Sequence, residues 1–191
     1  KSARALAVQR SATVSGGRYN IAQAEYATVG GGGPIDFNNP TTTNNVVYDD
    51  FGTIGGGGNN TAGADDADST TQQYTTVAGG RSNTASGAHT TVGGGYYNAA
   101  SGFEATVAGG VSNDASGQRS TVGGGNNNTV SGYEATVGGG LSNAAGGVRA
   151  VVSGGSNNTA GGTYASVSGG YVNAASGGKS TVGGGSGNLA S

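Results

Sequence analysis

The chain has 191 residues, of which 43 are Gly and only 2 Pro, with 33% hydrophobic and 9% charged residues. That excludes an ordinary globular domain, which is nearer half apolar with far less Gly, and collagen, which needs Gly at every third position and much Pro. A net charge of −2 with no basic run leaves no electrostatic footprint for nucleic acid, and the absence of Cys removes disulfides and thiol chemistry.

The organising feature is a repeat of 15 residues, most regular from Thr76 onward. One copy, Thr91–Ala105, reads TVGGGYYNAASGFEA. Positions are numbered below from the Thr of each copy. In chain order, residues 1–12 come first. The stretch Lys1-Ser2-Ala3-Arg4-Ala5-Leu6-Ala7-Val8 lacks a signal-peptide core and runs into the repeat without a cap. It is expected to be a lead-in from an upstream fibre segment. Residues 13–191 are expected to form the solenoid proper. Thr13–Ala27 is a full copy, with Val14 and Asn20 in register. The next copy starts at Thr28-Val29 and carries ten extra residues. Placing Asn45 at position 8 and Val47 at position 10 puts the extra residues within Gly33 to Asn44, in an insertion near 33–51. The copy from Thr53-Ile54 has Asn60 and Ala62 in register, then eight extra residues. These fall between Gly63 and Tyr74, in an insertion near 64–75. Insertions confined to turns are what a solenoid tolerates.

From Thr76 to Ser191 the register is unbroken. Position 2 is Val77, Val92, Val107, Val122, Val137, Val152, Val167 and Val182. Position 8 is Asn83, Asn98, Asn113, Asn128, Asn143, Asn158, Asn173 and Asn188. Positions 4 and 5 are always Gly-Gly, and position 12 is Gly in every complete copy of this run.

A coil this short holds two strands and two turns. Side chains alternate along a strand, so Val at position 2 and the small residue at position 15 point inward, toward Ala at position 10. Thr at position 1 and the small residue at position 3 point out. The predicted fold is therefore all-β, a parallel β-roll or β-solenoid of 15-residue coils. Stacked at about 4.8 Å, the copies from Thr13 to Thr181 span about 48 Å. Gly-Gly and the position-12 Gly are expected to supply positive φ at the corners. The Asn column is expected to stack as an amide ladder. Each coil buries one Val and two small residues, too little to offset the entropy of ordering fifteen residues. Chains are therefore expected to associate along their length.

Gly30 to Gly33 and Gly55 to Gly58 lack the Lys-Ser/Thr and helix of a phosphate loop. His89 is the only histidine, so zinc sites and nucleophilic triads lack parts. Glu104 and Glu134 share a column two coils apart on an open turn, and read as surface charge rather than a glycosidase pair. No catalytic, metal or cofactor site is expected, although carboxylates on one loop suit Ca²⁺ in principle. The variable columns offer a binding surface. Positions 6 and 7 carry Arg81, Tyr96, Tyr97, Val111, Leu141, Tyr171 and Val172. Positions 13 and 14 carry Phe103, Arg119, Tyr133, Arg149, Tyr164 and Lys179.

Repeats such as TVGGGYYNAASGFEA resemble the YadA-like heads of trimeric autotransporter adhesins, and are similar to repeats of phage tail fibres. The resemblance covers about 13–191, although this repeat is one residue longer than the usual head repeat and starts Thr-Val-Gly-Gly-Gly. It implies a left-handed roll, three chains to a rod, and an extracellular place on a bacterial surface or a virion. The expected function is a fibrous adhesion or receptor-binding segment, homotrimeric, contacting a host-cell surface protein or glycan, with no membrane contact from this segment. A purely structural spacer and an ice-binding solenoid, suggested by the Thr column, are the alternatives. The candidate partner-binding residues are those the two insertions are expected to project as a collar: Phe37, Tyr48, Asp49, Asp50, Phe51, Asp65, Asp66, Asp68 and Tyr74.

Overall fold

The computed structural model describes residues 6–7 and 9–191. Among them every regular element is a two-residue strand, and the strands form two parallel sheets of twelve and eleven. Positions 1–2 build one sheet and positions 9–10 the other, so strands consecutive in sequence lie in different sheets. Pairing is in register from copy to copy, as in Thr91 with Thr106 and Val92 with Val107. Both insertions leave the register intact: Thr28 pairs with Thr53 and Thr53 with Thr76, while Val46 pairs with Thr61. A third ladder of single bridges links position 6 from Gly58 to Ser186. The strand Leu6–Ala7 pairs with Ile21–Ala22, so the stacking reaches into the stretch read as a lead-in. Residues 1–5 and 8 lie outside the described residues.

The alternation places the core as expected. Val92, Val107 and Val122 at position 2, Ala100 and Ala115 at position 10, and Ala105 and Ala135 at position 15 are all fully buried in one continuous cluster. The Asn column is buried beside it. The Asn98 backbone amide donates to the Asn83 Oδ1 at 3.0 Å. The Asn98 Nδ2 donates to the Gly94 carbonyl of its own coil at 2.8 Å and to the Gly110 carbonyl of the next at 2.9 Å. Asn suits this site because it accepts and donates through one short side chain. A buried corner whose carbonyls face inward needs both.

One conformational expectation is corrected. Gly at position 5 does take positive φ, as in Gly95 and Gly155 (φ 89 and 86). Gly at position 12 does not. There a Cβ would overlap the backbone of the next coil, as Gly102 would overlap Gly117. Close stacking, not handedness, selects that Gly. The left-handed residues of the turns are instead the non-glycines at positions 7 and 14, including Tyr97, Asn127, Glu104 and Arg119.

Candidate functional site

The two insertions leave opposite turns of consecutive coils. The first closes on itself at its base. The Ile35 amide donates to the Thr43 carbonyl, and the Asn38 amide donates to the Asp36 carboxylate at 2.8 Å. Phe37 is 70% exposed. Asn44 ties the returning chain to the rod through its Nδ2, which donates to the Tyr19 carbonyl at 2.6 Å.

The second insertion folds back against the rod. The Asp50 amide donates to the Ser69 carbonyl at 2.8 Å, and the Ala64 amide donates to the Asp49 Oδ2 at 2.8 Å. The Asp50 Oδ1 accepts the Glu25 amide at 2.9 Å. Asp49 is fully buried and Asp50 nearly so. The expectation that these two carboxylates project is therefore corrected: the Asp49 carboxylate fastens the loop from within, and the Asp50 carboxylate ties its coil to the preceding one. The cause is local. Asp49 occupies position 12, which is Gly in every complete copy from Thr76 onward. Here the next coil closes directly over Asp49 with Gly63 (φ 91), where an added Cβ would overlap the Asp49 side chain and amide nitrogen.

Within the loop, Asp66 and Asp68 cap its turns. The Asp68 amide donates to the Asp66 Oδ1 at 3.0 Å, and the Thr70 amide and hydroxyl donate to the Asp68 Oδ1. Those bonds from Thr70 hold the Asp68 carboxyl below its ordinary pKa. A cleft of about 160 Å³ lies between loop and rod, lined by Gln9, Gln23, Tyr48, Asp65, Asp68 and Ser69, with Ala64 and Ala67. Burial pushes the Tyr48 phenol up, and Asp65 adds to this, so its hydroxyl remains a donor at neutral pH.

Burial also pushes the Asp49 carboxyl up, with Asp66, Asp50 and Asp68 adding repulsion against the opposing bond from Ala64. Its Oδ1 has no hydrogen-bond partner. A raised folded pKa means that the group favours folding below its unfolded pKa, and that this contribution is lost as pH rises through the folded value. Asp49→Asn is thus expected to raise the melting temperature at pH 7. The gain is expected to shrink toward zero as the pH falls below the ordinary carboxylate range. A melting temperature unchanged or lowered at pH 7 contradicts this account.

Phe51 and Tyr74 belong elsewhere, which is a second correction of the collar. Counted past each insertion, both stand at position 14, and they stack on the rod itself. Tyr26 stacks on Phe51 with ring centroids 5.0 Å apart, Phe51 on Tyr74 at 4.9 Å, and Tyr74 on His89 at 5.0 Å. Phe103 meets His89 edge-on. The same column then turns ionic. The Arg119 Nε lies 2.8 Å from the Glu104 carboxylate, and the Arg149 Nε 2.6 Å from that of Glu134. Arg119 also reaches Glu134 at 3.5 Å, which closes a chain of alternating charge. The left-handed turn aims position 14 along the rod axis, so that neighbours one coil apart touch.

The nine predicted residues therefore divide. Tyr48, Asp65 and Asp68 line the cleft; Asp49 and Asp50 anchor the loop and Asp66 shapes it. Phe51 and Tyr74 join the aromatic column, and Phe37 stands alone on the opposite turn. The reading of the sequence missed Gln9 and Gln23. The signal for Gln23 lay in the repeat, because Gln23 and Tyr48 occupy position 11, where the regular run has only Ser or Gly. Among the described residues no group of three Asp, Glu, His or Cys is placed to hold a metal ion. Comparison with known proteins finds no family model that matches the chain and no match among curated sequences.

Proposed function

We propose that the chain is a rod segment of an extracellular fibre that attaches to a cell surface, of the trimeric adhesin or tail-fibre kind, and that it has no enzymatic role. The observation that carries this reading is the contrast between an uninterrupted 15-residue register and two elaborated coils. Regular coils gain nothing from these loops, and ordering them has an entropic cost. A spacer that serves only for reach has no use for them. The rod holds the loops at a fixed place, and association of three chains would repeat the site three times and multiply weak contacts. The test is to trim both loops back to the 15-residue repeat and measure binding of labelled rod to panels of bacterial and animal cells. Loss of attachment with the rod still folded supports recognition. Attachment that survives the trimming unchanged sinks it.

The oligomeric part of the proposal rests on the core. Each coil buries only a Val and a few Ala or Thr side chains, while the Thr column at position 1 stays partly exposed along the whole sheet. Sedimentation of the purified segment is expected to report three chains. A stably folded monomer contradicts it. The same in-register Thr column is what favours ice binding as a second reading, and thermal hysteresis in dilute solution decides that question separately.

A further inference from the structure

We infer that the cleft beside the second insertion binds one neutral, polyhydroxylated sugar ring. This deepens the attachment reading and rests on it. The cleft offers a mixed set of partners: the amides of Gln9 and Gln23, the Tyr48 phenol, the Ser69 hydroxyl, and the carboxylates of Asp65 and Asp68. Two carboxylates and no basic side chain repel phosphate, sulfate and acidic sugars. A lining with only two alanines against these six gives an apolar ligand little to bury against. A metal ion would need more convergent oxygens than the described residues provide. An ammonium or guanidinium ligand would satisfy the carboxylates, yet it only donates. The NH2 groups of Gln9 and Gln23 would then face nothing that accepts.

A sugar hydroxyl both donates and accepts. Vicinal hydroxyls match a carboxylate on one side and an amide on the other, and the Tyr48 ring offers a surface for the C–H face. The volume, about 160 Å³, suits a single ring and falls below the several hundred Å³ usual for larger ligands. Asp68 is already held by Thr70, so part of the acceptor array is ordered before any ligand arrives. Gln23 and Tyr48 are large polar residues in a column of Ser and Gly, and no stacking contact requires them. Their presence only where the loop folds over marks the site.

Saturation-transfer NMR of the full chain with the methyl glycosides of glucose, galactose, mannose and N-acetylglucosamine tests the inference. At least one glycoside is expected to take up saturation. The Gln23→Ser/Tyr48→Ser double variant restores the usual residue of that column and so keeps the register. It is expected to bind that glycoside at least roughly tenfold more weakly. The inference is overturned if no glycoside takes up saturation, if the double variant retains the signal, or if ethylenediamine binds the cleft in place of the sugars. Cell attachment of the same double variant separates the two levels. Attachment at wild-type strength without glycoside binding ends the sugar assignment and leaves the fibre reading standing on another surface. Loop-trimmed rods that attach as well as wild type end the fibre reading itself.

Discussion

Asn128→Ala is expected to cost about 3 kcal/mol per chain, set by the buried groups it leaves without partners. The Asn128 Nδ2 donates to the carbonyls of Gly124 and Gly140 at 2.9 and 3.0 Å, and its Oδ1 accepts the Asn143 amide at 2.9 Å. Ala replaces none of these. The Gly124 carbonyl and the Asn143 amide, in two consecutive coils, then lose their partner, the Gly140 carbonyl keeps only the Asn126 amide, and none can turn outward without breaking the strand ladder. Asn127→Ala is the control. That side chain is exposed and makes one contact, to the Ser142 hydroxyl at 3.2 Å. Its loss is expected to cost about 1 kcal/mol, mostly because Ala tolerates the left-handed backbone less well than Asn. Thermal or chemical denaturation of the two variants distinguishes them, and equal losses refute the load-sharing Asn column.

The coil, its register and its buried columns were legible because a strict repeat states them many times over. From Thr76 onward Val at position 2 and Asn at position 8 recur without exception, and period-two alternation leaves one assignment of inside and outside. Asn45, Val47, Asn60 and Ala62 fix the count on either side of the insertions. What the repeat does not state is conformation inside the turns. Gly at position 12 reads as a corner residue, yet it is selected by the backbone of the next coil. The residues that do turn left-handed at position 14 are Tyr, Phe, His, Glu, Arg and Lys, of which only His is favoured there by composition rules.

That error has a consequence for the candidate site. With position 14 aimed along the axis, Phe51 and Tyr74 pack on their neighbours and leave the loops. Asp49 and Asp50 were read as exposed because they adjoin an insertion. Burial depended on which way the inserted chain folds, and no spacing rule gives that. The second loop folds toward the preceding coils, covers both carboxylates, and so creates the cleft against Gln23 and Tyr48. The alternating Glu104, Arg119, Glu134 and Arg149 were in plain view. Read column by column rather than along the chain, they are an ion-pair ladder. All reach solvent, so their contribution lies in fixing the turn more than in stability.

Gly155→Ala is expected to destabilise the rod by at least about 3 kcal/mol, through strain and steric overlap together. Gly155 has φ 86, a conformation L residues rarely adopt, and an added Cβ would overlap the Gly170 carbonyl oxygen of the next coil. That oxygen is not free to move. It accepts the Ser156 amide at 2.9 Å and the Asn158 Nδ2 at 2.9 Å. The same Cβ would lie 2.6 Å from the Asn158 Nδ2 and 2.8 Å from the Gly170 amide nitrogen. Relief of the overlap therefore displaces the Asn column and the position-6 bridge at once. The neighbouring Gly154 provides the comparison. Its φ is not left-handed, and a Cβ there would meet nothing nearer than the Gly139 carbonyl at 4.0 Å. Its own carbonyl accepts the Asn158 Nδ2 at 3.0 Å, a bond that Ala keeps. Gly154→Ala is expected to fall within about 1 kcal/mol of wild type, with reduced unfolded-state freedom offsetting any small strain. Two adjacent glycines of one invariant pair are thus expected to differ severalfold in cost, and melting both variants beside wild type measures the difference. Similar losses at the two positions would mean that coil stacking does not select Gly at position 5.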